Sequence, residues 1–94
     1  MVRTVLDLTD CKTWGDMHER FKKALHFPEH YGCNWAAFED SLLLDSDVTF
    51  IEIRGEHTMS ADFDDALRIM HEILAYVKEK HAKYEDEFDY VIVD

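Results

Sequence analysis

The chain has 94 residues, is 47% hydrophobic, and sets ten basic against twenty-one acidic residues, for a formal net charge of −11. One domain over residues 1–94 is expected, because a second core would have too little surface to bury, and two tryptophans, four tyrosines and six phenylalanines argue against disorder. The charge repels nucleic acid and speeds encounter with cationic partners.

The first predicted strand runs over Arg3 to Leu8, with Val5 and two leucines suited to burial. Thr13 then caps a helix, with Asp16 placed as in a capping box with a shorter acid. Trp14, Met17, Phe21, Ala24 and Leu25 recur at helical spacing and predict its buried face; Asp16, Glu19, Arg20, Lys22 and Lys23 face water. Pro28 is expected to end this helix, since the residue before a proline avoids the α region. Phe27 to Cys33 reads as a tight connection, with Gly32 free to take a positive φ. Asn34 caps a second helix over Trp35 to Leu44. Phe38 and Leu42 face the core there; Ala36, Glu39 and Asp40 fall on the other side, beside the chain entering at His30 to Asn34.

Val48 to Arg54 predicts a second strand, buried on both faces, with Glu52 near an edge or strand end. Gly55 to Met59 reads as a loop. Ser60 is expected to cap a long third helix opened by Asp62, Asp64 and Asp65, with Phe63, Leu67, Met70, Leu74 and Val77 as its stripe. Lys78, Lys80 and Lys83 gather near its end, an acidic connection follows over Glu85 to Asp89, and Tyr90 to Val93 forms a last strand. The order β-α-α-β-α-β predicts an α/β fold: a three-stranded parallel sheet packed against helices.

No apolar run approaches the roughly 20 residues that span a bilayer. The N-terminus lacks a secretory pattern, and Cys11 and Cys33 do not make a disulfide framework. A cytoplasmic protein with reduced thiols, not engaging membranes, is expected. Scattered glycines exclude a phosphate cradle, and neither G-x-S-x-G nor C-x-x-C occurs. Cys33 near His26 and His30 suggests a thiol nucleophile, but no oxyanion site accompanies it, so no catalytic residue is assigned. The same three side chains resemble metal ligands by type, yet Pro28 breaks the helix that would align the imidazoles, so neither metal nor cofactor is expected. Glu39 and Asp40 point ~100° apart on a helix and do not face each other as acid and base. His71 and His81 are expected at exposed positions of the third helix.

Between Lys23 and Arg54 there is no lysine or arginine, while Glu29, Glu39, Asp40, Asp45, Asp47 and Glu52 lie there among aromatic residues. Such a patch suits a positively charged protein partner. The run from Phe27 to Leu42, FPEHYGCNWAAFEDSL, resembles the barstar family of ribonuclease inhibitors. Its pattern is an apolar residue, Pro-Glu, two aromatics, glycine, a variable residue, asparagine, then a short helix bearing acids. Pro28, Glu29, Tyr31, Gly32, Asn34, Asp40 and Leu42 match it, and the element order fits along the whole chain.

The resemblance implies a non-enzymatic inhibitor, a monomer when free, that plugs the active site of a basic ribonuclease or related toxin with carboxylates in place of RNA phosphates. Carried over, the binding positions are His30, Gly32, Asn34, Trp35, Asp40 as principal acid, and Glu72 on the third helix. Two positions depart from the pattern: Ala36 stands where an acid is usual, and Glu39 where an aromatic is usual. These are neighbours on a helix, so Glu39 is expected to supply the charge that Ala36 does not. The departures also leave room for a binding module of this fold whose basic partner is not a nuclease. Gly32 and Asn34 serve turn and cap as well, and Trp35 suits core and surface alike.

Overall fold

The computed structural model describes residues 2–93. The strands are β1 (Arg3–Asp7), β2 (Phe50–Arg54) and β3 (Asp89–Val93); the helices are α1 (Trp14–Ala24), α2 (Trp35–Leu44) and α3 (Asp64–Lys83). The element order is β-α-α-β-α-β, and the three strands form one parallel sheet in the order β1-β2-β3. Val5 stands beside Glu52 and Glu52 beside Val91, so alternate residues of all three strands share a face.

Among the described residues the helices cover one sheet face and leave the other open. Leu6, Ile51 and Ile53 are fully buried under Met17, Phe21, Phe38, Leu42, Met70, Leu74 and Val77. The opposite face carries Val5, which is 50% exposed, and Val91. This corrects the expectation of a second strand buried on both sides: Phe50 is half-buried on the open face, where the Arg3 guanidinium stacks 4.7 Å from its ring centroid. Glu52 lies mid-strand in the central β2, not near an edge or strand end, and is tolerated because its face is wet and Arg54 Nε donates to its carboxylate at 2.6 Å. That bond, foremost, holds the Glu52 carboxyl below its ordinary pKa.

The helix starts follow local chemistry. Thr13 Oγ1 accepts from the Asp16 N–H at 3.1 Å, and Asp16 Oδ2 reaches back to the Lys12 N–H at 3.4 Å. The end of α1 differs from expectation. The helix stops at Ala24, well before Pro28, through His26 in the left-handed region at φ 59°, with the Phe27 N–H closing on the Lys22 carbonyl at 3.1 Å. Ser60 makes no side-chain cap; it leads into a 3₁₀ turn, Ala61–Phe63, from which α3 starts at Asp64. The loop after β2 contains a 3₁₀ turn, Glu56–Thr58, entered through Gly55 at φ 84°. A Cβ at Gly55 would lie 2.4 Å from the Thr9 backbone nitrogen, so glycine is required there by contact as well as by φ.

Two apolar assignments shift, one by a helical turn and one by a single residue. Trp14 is 44% exposed and His18 is buried in its place on α1; Leu67 is only half-buried, and Ala66 takes the core position on α3. His71 and His81 are not exposed as expected. His71 Nε2 lies 2.8 Å from Glu56 Oε2, and the His81 ring stacks on Phe88 at 5.3 Å. No helix among the described residues is long and apolar enough to cross a membrane.

Candidate partner-binding surface

The connection from α1 to α2 and the outer face of α2 form one surface. Asn34 builds its central corner. Its Oδ1 accepts from the Ala37 N–H at 2.8 Å, capping α2, and its Nδ2 donates to the Gly32 carbonyl at 3.3 Å. Gly32 does not take the positive φ foreseen for it; Cys33 does, at φ 52°. What glycine supplies at position 32 is room: a Cβ would sit 3.4 Å from both Ala37 Cβ and Asn34 Nδ2.

Beneath this corner the loop is pinned by Tyr31, which the family pattern contains but which gave no sign of its role. Tyr31 is buried, its N–H donates to the Pro28 carbonyl at 3.0 Å, and its hydroxyl lies 2.7 Å from His18 Nδ1. Phe27 packs on its ring at 4.8 Å. Trp35 meets Phe38 and Trp14 edge-on, both at 5.4 Å, and is half-buried, so it serves the core and the surface together. Burial pushes the Tyr31 phenol up and the His18 imidazole down in pKa, so both are neutral at pH 7.

Over this base His30, Gly32, Cys33, Asn34, Ala36 and Asp40 are exposed, and Glu39 is half-buried. Among the described residues the Asp40 carboxylate makes neither a hydrogen bond nor an ion pair. It lines a groove of about 330 Å³ together with Leu44, Lys80 and Tyr84. Lys80 Nζ donates instead to Tyr76 Oη at 3.3 Å and lies over that ring, 5.6 Å from its centroid. The tyrosine hydrogen bond is the first cause of its raised pKa; the charge of Glu39 is a later contributor. Glu39 is therefore within electrostatic reach of a cation of its own chain.

The other acids of the lysine-free stretch are divided. Glu29 pairs with Lys22 at 3.4 Å, and Asp47 with His26 at 2.6 Å. Glu72, placed at the surface by resemblance, is on α3 and pairs with Arg68 at 3.2 Å. It is two turns, ~12 Å along the axis, from the Lys80 that shares a groove with Asp40. The loop and α2 residues follow one another along the chain, and Glu72 belongs to a separate element, α3. Among the described residues no cluster of His, Cys, Asp and Glu could hold a metal ion. Cys11 is buried, Cys33 exposed, and both are free.

A parallel three-stranded sheet packed against helices, with a capped acidic helix beside a glycine–asparagine corner, defines an α/β domain of the order β-α-α-β-α-β. The chain matches the family described as Barstar (barnase inhibitor) over residues 1–93, and it belongs to that family. Comparison with curated proteins gives no match.

Proposed function

We propose that this protein inhibits a basic ribonuclease or related nuclease toxin by seating the loop and α2 surface in the enzyme's cationic cleft. The observation that carries the reading is Asp40: an exposed carboxylate without a partner among the described residues, on a helix whose N-terminus is fixed by a side-chain cap and an aromatic base. A carboxylate held this way enters the complex without first breaking an ion pair of its own chain, and it takes the place of an RNA phosphate against Arg, Lys or His. His30, Gly32, Asn34, Trp35 and Ala36 supply the surrounding contact. Glu39 strengthens the field, in part offset by Lys80, and Glu72 contributes at the cost of releasing Arg68.

RNA cleavage by a barnase-type ribonuclease, titrated with this protein, tests the proposal. Stoichiometric loss of cleavage that weakens as salt rises is the expected result. The absence of Ala36's usual acid favours an enzyme whose cleft is less cationic at that point. Unimpaired cleavage by every basic ribonuclease tried, with capture of a basic protein lacking nuclease activity, would move the reading to a binding module for a non-nuclease partner.

A further inference from the structure

We propose that His18 and Tyr31 form a clamp that holds the partner-binding loop in its competent shape, and that acid opens the clamp. The proposal deepens the inhibitor reading given above. The two residues come from different elements, α1 and the loop, and the hydroxyl-to-Nδ1 contact of 2.7 Å is the polar tie between them. His18 is 1% exposed, and its Nε2 is buried without a hydrogen-bond partner.

The surroundings assign the proton. Trp14, Phe21 and Trp35 ring the imidazole, with centroids 4.7, 5.3 and 5.7 Å away. A bare Nε2 lone pair would face π-electron density, whereas an Nε2–H finds a weak acceptor there. With the proton on Nε2, Nδ1 is the acceptor and Tyr31 the donor of the 2.7 Å contact. Protonating His18 turns Nδ1 into a second donor and places a charge among aromatic rings. Both changes break the present arrangement.

Nothing nearby compensates that charge. From the loop, Tyr31 touches His18 and Cys33 acts on Tyr31 by its charge, while His30 is exposed, Glu29 pairs with Lys22 and His26 with Asp47. The α1 and α2 neighbours are aromatic, and burial is the sole cause of the lowered His18 pKa. The sign follows directly. The open loop exposes an ordinary imidazole, which takes a proton more readily than the buried one of the closed loop, so acid favours opening. Between pH 7.5 and pH 5.5 the open fraction rises, by about tenfold at most.

Hydrogen exchange of the Tyr31, Ala37 and Phe38 amides in the free protein tests the clamp, since all three N–H groups are bonded at or next to the loop. After correction for intrinsic chemistry, these amides should exchange faster at pH 5.5 than at pH 7.5, by up to about tenfold, through a local opening that leaves the Ile51 and Ile53 amides of β2 better protected than the loop at both pH values. The double variant His18→Phe with Tyr31→Phe keeps the aromatic packing and removes the titration; its loop protection should be flat across the same range. A wild-type loop that responds to pH no more than the double variant overturns the proposal. So does a Tyr31→Phe variant that is folded and exchanges as wild type at both pH values. No nuclease enters this measurement, so its failure indicts the clamp, and a failure to inhibit indicts the function.

Discussion

Two helices of this protein carry acids, and they hold them differently. On α3, Asp65 and Glu72 flank Arg68 in i,i+3 and i,i+4 geometry, and Lys78 leaves the helix to pair with Asp89 at 2.9 Å. On α2, Glu39 and Asp40 have no ion pair among the described residues, and Asp40 is exposed. Exposed pairs such as those of α3 contribute only ~0–1 kcal/mol to stability, yet each occupies a charge a partner would otherwise find free. The net charge of −11 is shared by the whole chain; what separates α2 is the availability of its carboxylates.

The strongest way to break the comparison is to remove what keeps α2 rigid. Phe38 is fully buried against Phe21 and Phe27. Phe38→Ala should cost about 3–5 kcal/mol in denaturant unfolding, whereas Leu44→Ala, at an 81% exposed position of the same helix, should stay within ~0.5 kcal/mol. Equal losses would mean that α2 is not held through its aromatic side.

Removing one acid from each helix sharpens it. Asp40→Ala should weaken inhibition of the target ribonuclease by ~2 kcal/mol or more, about thirtyfold, with fold and melting temperature kept. Glu72→Ala should cost less than ~1 kcal/mol by the same assay, because Arg68 already engages that carboxylate. Comparable losses would make pairing irrelevant to binding.

Caps provide the smallest contrast. Asn34→Ala removes an observed side-chain cap and should destabilise by ~1 kcal/mol. Ser60→Ala removes none and should be close to neutral by thermal unfolding.

The parts of this fold legible in the sequence are those with local chemistry. The Thr13 and Asn34 caps, the Phe38 and Leu42 face and the parallel strand order all follow from short-range spacing, and each stands in the structure. What was not legible depends on distant groups. Glu52 looked unfit for a central strand because nothing local says that one sheet face is open. Cys33, not Gly32, takes the left-handed φ, since the corner is shaped by the Asn34 amide bonding back to Gly32. His18 is polar and so dropped out of the apolar stripe, yet it is buried because Tyr31, thirteen residues on, brings it a hydroxyl. The site divides the same way. The loop and α2 residues were readable from one continuous motif, and the Arg68–Glu72 pair from i,i+4 spacing, whereas the isolation of Asp40 depends on where α3 lies.

Salt dependence of inhibition is the most direct measurement. With a barnase-type ribonuclease, the inhibition constant of the wild type and of Asp40→Asn would be followed from low to high ionic strength. A steep weakening with salt for the wild type, and a clearly shallower one for Asp40→Asn, is the predicted result. Identical slopes and identical constants for the two proteins would contradict the account, because the free carboxylate on α2 would then carry none of the recognition.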